Sequence, residues 1–311
     1  MRLDFVVPTL NAERDVAACL QSIRRAMRPG DGLVVVDNGS ADRTVEIARA
    51  LGAAVVAAPG ETIGALRNIG ARETGGEALA FVDADCVLDA GWRDAVERAL
   101  DDPRVAATGA KYLVPDGARW IESAWFSQRR RRAGPASYIN SGNLVVRRQA
   151  FSAVGGFAED LWTGEDAELG LRLAQAGFLV FEDPRIAAVH LGNPKTLRAF
   201  YRKQRWHAAG MLGTFRRSWW DKPLVMTCLF GASLCAGAAL LPLAARGAAW
   251  GVAAAALVCW APAACALYRA AECRDGRRAP ALFVLYAVYL AARLSALAGA
   301  VLAPARRPRR G

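Results

Sequence analysis

Ala78-Leu79-Ala80-Phe81-Val82-Asp83-Ala84-Asp85 runs from an unbroken apolar stretch into two aspartates. A short continuous apolar run reads as a strand covered on both faces, which leaves the aspartates at its carboxyl tip. Upstream the same grammar repeats. Residues 3–7 form an apolar strand that meets the turn Pro8-Thr9-Leu10-Asn11, and 16–27 carry apolar residues at helical spacing. Residues 33–36 give a second strand, closed by Asp37-Asn38-Gly39-Ser40, with a helix expected from about Ala41 and Ser40 as its N-cap. Residues 53–57 supply a third strand and Ile63–Arg72 a third helix before the fourth strand, Ala78–Val82. Repeated strand-turn-helix units predict an α/β fold with a parallel, covered sheet. Such sheets bind ligands outside the carboxyl ends of their strands, which gathers Thr9, Asp37, Asp83 and Asp85 at one edge.

The side chains at that edge have a chemical reading and a structural one. An aspartate at a strand tip can reach a hard divalent cation, and that cation neutralises a pyrophosphate, so Asp83-x-Asp85 reads as a metal or nucleotide site. Asp37-Asn38-Gly39-Ser40 is either a plain turn or a loop whose Asp37 accepts hydrogen bonds from a nucleobase or ribose. Arg67-Asn68 is either a solvated helix face or a cation aimed at the base and diphosphate. A second acidic pair, Glu165-Asp166, follows Trp162-Thr163-Gly164 and could supply a base. Residues 164–171 also read as a helix start, where acidic groups favour the dipole. His190 closes the apolar run 186–189, His207 sits in a basic helical segment as a solvated or interfacial residue, and Arg129 to Arg132 form a cationic run. That run is either a solvated loop or a contact for lipid phosphate.

Apolar residues make up 54% of the 311, and they concentrate towards the end of the chain. Residues 224–245 and 248–268 contain no charge, and each stretch is long enough to cross about 30 Å of hydrocarbon. Arg246-Gly247 between them predicts a helical hairpin. Basic residues flank both of its ends: Arg216, Arg217 and Lys222 before, Arg269, Arg274, Arg277 and Arg278 after. The positive-inside rule puts those ends in the cytoplasm. A third stretch, 281–303, is interrupted by Arg293 and either spans or lies at the interface. The net charge of +11 rests mainly on residues 223–311, where ten Arg/Lys face two Asp/Glu. These cations border apolar stretches, which fits lipid headgroups and argues against nucleic acid. Seven scattered cysteines without a CxxC pair indicate reduced thiols. The opening Met-Arg-Leu-Asp-Phe enters a strand without a secretory signal, so the polar part is expected on the cytoplasmic side of the cell inner membrane, with a multi-pass anchor.

Taken in order, Val6-Val7-Pro8-Thr9-Leu10-Asn11-Ala12-Glu13, residues 34–48 (VVVDNGSADRTVEIA), 64–76, Phe81-Val82-Asp83-Ala84-Asp85, Ser141-Gly142-Asn143, Gly155-Gly156-Phe157 and Gly164-Glu165-Asp166 resemble glycosyltransferase family 2. The resemblance runs over residues 1–210 and implies a GT-A fold: a Rossmann-like, mainly parallel sheet flanked by helices. It further implies a glycosyltransferase domain over 1–215, with a nucleotide-sugar half (1–108) and an acceptor half (109–215). The membrane region of two to three transmembrane helices would then occupy 216–311.

Carried over by position, the resemblance makes Pro8, Thr9, Asp37 and Arg67 nucleotide contacts and sets Asp83 near the ribose and sugar. It gives Asp85 the Mg²⁺ or Mn²⁺ that bridges the diphosphate, brings His190 to the metal or diphosphate, and makes Asp166 the catalytic base beside Glu165. Gln204-Arg205-Trp206 is similar to an acceptor signature of processive members. That signature separates its glutamine from Arg-Trp by two residues, a position that Arg202 holds in this chain, so a single transfer is expected. The activity implied is inverting transfer from a nucleotide-sugar donor, a UDP-sugar, to a lipid-linked or glycan acceptor near the membrane. One carboxylate suffices to take the acceptor proton. The alternatives are transfer to a polyprenyl phosphate, whose oxygen is already ionised, and a silent nucleotide-binding membrane adaptor, against which intact Asp83, Asp85 and Asp166 speak.

Overall fold

The computed structural model describes residues 1–126, 132–209 and 222–302. Packing divides the chain into two units, Met1–Gly117 with Gln128–Asn193, and Ala118–Ser127 with Pro194–Gly311.

In the first unit the apolar runs become the parallel strands β1 (Leu3–Thr9), β2 (Leu33–Asp37), β3 (Ala54–Ala57) and β4 (Ala78–Val82), side by side as β3-β2-β1-β4. Helices α1 (Val16–Ala26), α2 (Thr44–Ala50) and α3 (Ile63–Arg72) connect them. Next come β5 (Cys86–Leu88), α4 (Trp92–Leu100) and β6 (Val105–Gly109). The unit closes with β7 (Gly134–Pro135), β8 (Asn143–Arg147), α6 (Arg148–Ala153), α7 (Glu165–Gln175), β9 (Leu179–Glu182) and β10 (Ala188–His190). Strand β8 inserts antiparallel between β4 and β6, β9 lies parallel to β6, and β7 forms the far edge. Strands β5 and β10 make a separate antiparallel ribbon.

Both sheet faces are covered, as the continuous apolar strands require. Leu3, Phe5 and Val7 pack with Leu20, Ile23 and Trp92 on one side. Val6 and Phe81 pack with Leu66, Phe151, Phe157 and Leu169 on the other. Burying each large side chain of this kind is worth about 1.5–3 kcal/mol, which fixes the strand tips that carry the site. One local expectation changes. Helix α2 begins at Thr44, not Ala41, and its first turn has no side-chain cap from Ser40. Ser40 instead donates its hydroxyl to Asp37 at 2.5 Å, because the loop closes on the strand-tip carboxylate.

The second unit contains α5 (Trp120–Trp125), α8 (Leu197–Ala209), α9 (Lys222–Leu240), a 3₁₀ turn (Leu241–Arg246), α10 (Ala248–Cys273) and α11 (Ala279–Leu302). Three of its segments, Pro223–Arg246, Ala248–Cys273 and Gly276–Gly299, are long and apolar enough to cross a membrane. Phe200 of α8 is buried with Ile121 of α5 and Leu285 of α11, so the packing boundary falls at Asn193/Pro194 and not at 215. His207 is half-buried, not solvated: burial first, then Lys203 and Arg293, push its pKa down to about 4. All seven cysteines are free. Of the cationic run 129–132, residues 129–131 lie outside the described residues, as do Arg216 and Arg217.

Candidate active site

The parallel register sets Thr9 directly opposite Asp37. Asp37 is 4% exposed, and its carboxylate accepts hydrogen bonds from Thr9 Oγ1 (3.0 Å), Ser40 Oγ (2.5 Å), Gly39 N (3.0 Å) and Ser40 N (2.9 Å). It therefore builds the β2 loop as well as standing at the strand tip. Pro8, buried in β1 opposite Val36, fixes the backbone that leads into Thr9.

Arg67 on α3 is 2% exposed and spans two motifs that lie far apart in the chain. Its Nη2 donates to Asp83 Oδ1 and its Nη1 to Glu165 Oε1, each at 2.7 Å, while the guanidinium lies 5.5 Å from the Phe157 ring centre. Burial opposes its charge, but the Asp83 and Glu165 carboxylates outweigh that cost and hold its pKa above the ordinary arginine value. The planar fork suits this double engagement, which a lysine could not reproduce. Glu165 also accepts from Ser141 Oγ at 3.0 Å.

Asp83 is pressed from the opposite side by the 141–143 segment. A Cβ at Gly142 would lie 2.1 Å from Asp83 Oδ2, so this approach requires glycine. Gly142 N donates to the Tyr112 hydroxyl (3.0 Å), which lies 3.5 Å from Asp83 Oδ2. Burial, and next the Asp83 charge, raise the Tyr112 pKa well above its usual value, which keeps the phenol protonated. Asn143, fully buried, holds the segment in place: its Nδ2 donates to Ala110 O and Ile186 O, and its Oδ1 accepts from Trp92 Nε1.

Asp166 opens α7 beside Glu165. Gly164 precedes it in the left-handed region, at φ 83°, which glycine adopts without strain. Burial, reinforced by the Glu165 charge, pushes the Asp166 pKa up to about 6, against the pull of the Ala167 N–H and of Arg67. Such a carboxylate is poised to exchange a proton near neutral pH.

The β5–β10 ribbon pairs His190 with Cys86 and so brings His190 to the residue next to Asp85. His190 Nε2 lies 3.6 Å from Asp85 Oδ2, and the imidazole packs tilted against the Tyr112 ring, with 4.9 Å between the ring centres. Donor atoms of Asp85, Cys86 and His190 all fall within 4.8 Å of one another. The carboxylate oxygen suits Mg²⁺ or Mn²⁺, the imidazole nitrogen suits a transition-metal ion such as Mn²⁺ better than the harder Mg²⁺, and the thiol suits neither. A Cβ at Gly192 would sit 1.9 Å from Asp85 Oδ2, so glycine there leaves the carboxylate its room. These residues fit a divalent cation.

The structure thus joins Arg67, Asp83 and Glu165 in one ion-pair network with Asp166 next in chain, and pairs Asp85 with His190. Thr9 and Asp37 form their own hydrogen-bonded pair. Tyr112, Ser141 and Gly192 were not among the sequence candidates. Ser141 belongs to the Ser141-Gly142-Asn143 motif, while nothing local marks Tyr112.

The model of the family described as Glycosyl transferase family 2 matches residues 4–155. Glycosyltransferase AglE of Haloferax volcanii is 27% identical over 205 residues, covering 62% of this chain and 67% of its own length. An uncharacterized glycosyltransferase of Mycobacterium tuberculosis is 31% identical over 185 residues, covering 57% of this chain and 81% of its own. Among solved structures, the mannosyltransferase PcManGT from Pyrobaculum calidifontis, in complex with GDP-Man and Mn²⁺, covers 98% of this chain and 88% of its own at TM-score 0.59 and 20% identity. That likeness shows a shared GT-A fold. The matched span holds Thr9, Asp37, Arg67, Asp83, Asp85 and Ser141, and it ends before α7 and β10. With the strand-tip motifs in family order and the sheet that presents them shared, the chain belongs to glycosyl transferase family 2 and is a glycosyltransferase.

Proposed function

We propose that this glycosyltransferase moves a sugar, with inversion, from a nucleoside-diphosphate donor to a lipid-linked or membrane-proximal acceptor at the cytoplasmic face of the inner membrane. A UDP-sugar is the donor we favour. The observation that carries the reading is the Arg67 bridge, which unites the β4 tip with the start of α7 in one buried network. The β1 and β2 tips, with Pro8, Thr9 and Asp37, form the nucleotide end. Asp83 takes the ribose and sugar, and Arg67 acts as a positioning residue because both of its terminal nitrogens are engaged by carboxylates.

Asp166 takes the proton of the acceptor hydroxyl as that oxygen attacks the anomeric carbon. Its pKa of about 6 leaves it ionised at neutral pH yet basic enough to accept. Asp85 and His190 would hold a Mg²⁺ or Mn²⁺ ion, which supplies charge neutralisation for the departing nucleoside diphosphate. GDP-Man and Mn²⁺ in PcManGT support this donor class and cation. Apolar helices with Arg269 near the end of α10 and Arg274, Arg277 and Arg278 after it support a membrane anchor with its ends in the cytoplasm.

The test is thermal protection of the detergent-solubilised protein by a panel of UDP-, GDP- and dTDP-sugars, with and without Mn²⁺. A bound ligand of the native state raises its midpoint. Protection by one nucleotide class that requires Mn²⁺ is expected, followed by transfer of the protecting sugar to extracted membrane lipid. Failure of every donor to protect with Mn²⁺ present sinks the reading.

A further inference from the structure

We infer that α9 and α10 alone cross the bilayer, while α11 lies in the membrane surface with α5 and α8 as a platform against the phospholipid headgroups. The inference rests on reading α9 and α10 as a membrane hairpin and concerns the second unit only.

Depth along the hairpin is fixed by its own packing. Gly237 of α9 faces Ala254 and Val258 of α10, and Phe230 clusters with Ala261. The helices are therefore antiparallel, and the start of α9 is level with the later part of α10, near Ala266. Helix α11 can be followed across this scale. Leu282 clusters with Ala266 and Ala270, Leu290 with Phe230 and Ala261, Leu294 lies against Gly231, and Leu297 joins Leu224. From Leu282 to Leu297 the helix advances about 22 Å: it reaches the level of Phe230 and Ala261 at Leu290, then returns at Leu297 to the start of α9, so both of its ends lie towards the open end of the hairpin. A third span would run on towards the Arg246-Gly247 loop.

What covers α11 gives the same answer. Phe200 of α8 is buried with Leu285, Tyr201 Oη hydrogen-bonds Ser295 Oγ at 2.8 Å, and Ala208 packs with Ala296 and Leu297. Helix α8 thus lies along residues 285–297 while exposing Arg198, Arg202, Arg205 and Trp206. Were that stretch of α11 at the bilayer centre, α8 would carry its arginines into hydrocarbon, where arginine is among the costliest residues to insert. At the headgroup layer the same cations meet lipid phosphate, and Trp206 suits the interface. Ring contacts of Trp125 in α5 with Tyr286 and Tyr289 cover another side of α11. Among the residues of α11 up to 299, the exposed ones apart from Gly299 are Pro280, Val284, Ala291 and Ala298, which fall within about 40° of one another on the helical wheel. That apolar side is what an interfacial helix offers the acyl chains.

The consequence is topological: the chain leaves α11 on the membrane face from which it entered α9. Epitopes placed in the full-length protein after Gly247, and separately after Gly311, are probed with protease on intact spheroplasts and on opened membranes. The Gly247 epitope should be lost from intact spheroplasts and the terminal one only after opening. Loss of both from intact cells means that α11 spans and overturns the inference. Protection of both in intact spheroplasts overturns the hairpin beneath it. For the headgroup contact, the thermal midpoint in nanodiscs should be higher with phosphatidylglycerol than with phosphatidylcholine, and Arg202→Glu/Arg205→Glu should remove the difference. Equal midpoints for the unaltered protein overturn that part.

Discussion

Asp166 and Arg67 carry the heaviest chemical demands, and each makes a prediction. Asp166→Asn keeps the volume but cannot accept a proton, so turnover should fall roughly 10²-fold or more while donor affinity persists. Donor binding lost in parallel would instead give Asp166 a place in the donor site. In the unaltered enzyme, activity should decline as pH falls through about 6, where Asp166 protonates, and the residual activity of the variant should lack that limb. Stability has the opposite sense. A raised folded pKa means that the native state holds the proton more tightly, so its contribution is full below about 4 and is lost as pH rises through about 6. At pH 8 Asp166→Asn should therefore melt higher than the parent protein. Arg67→Met leaves Glu165 buried without its cation and should cost about 3–5 kcal/mol, seen as a large drop in thermal midpoint. An unchanged midpoint would show that the bridge contributes little. Thr9, Asp37, Asp83 and Asp85 were legible as candidates because each closes or follows an apolar run, and Glu165-Asp166 because acidic residues follow a glycine at a helix start. Tyr112 was not, since only the pairing of 113 with β10 brings it to Asp83 and His190.

Among elements, the β5–β10 ribbon has the clearest functional consequence. It sets His190 beside Asp85, and Gly192 then passes so close that a methyl group would meet the carboxylate. Gly192→Ala should push Asp85 aside and weaken Mn²⁺ binding by titration about tenfold, close to 1.4 kcal/mol. The fold should remain intact, because Gly192 lies outside the strands. Wild-type Mn²⁺ affinity in that variant would detach Asp85 from the cation. Strand Ala78–Val82 and helix Ile63–Arg72 were readable to the residue, since continuous apolar runs and helical periodicity are local signals. The antiparallel insertion of β8 between β4 and β6 was not readable, nor was the ribbon. Partner choice between distant strands depends on which faces the whole sheet must bury, and a three-residue strand such as β10 has too few positions to show a period. The Ser40 cap failed for a related reason: a buried carboxylate one loop-length away competed for the hydroxyl.

For the whole molecule, the sequence locates a break in composition near residue 222, but composition does not mark where packing divides. Deleting everything from Leu224 onward looks, on composition, like a route to a soluble domain. The packing argues otherwise. Ile121 of α5 and Phe200 of α8, at 1% and 0% exposure, are buried with Leu285 of α11, and Trp125 packs on Tyr286 and Tyr289. A fragment ending at residue 223 exposes all three side chains, and uncovering large apolar groups of this kind costs about 1.5–3 kcal/mol each. It should therefore aggregate or require detergent, and Phe200→Ser in the same fragment should improve its solubility. The full chain, held by helices whose stretches 224–245 and 248–268 carry no charge and satisfy their own backbone hydrogen bonds, should stay with membranes through alkaline carbonate. Release into carbonate would exclude a spanning hairpin. A freely soluble, monomeric fragment 1–223 would show that α5 and α8 find other cover once α11 is gone.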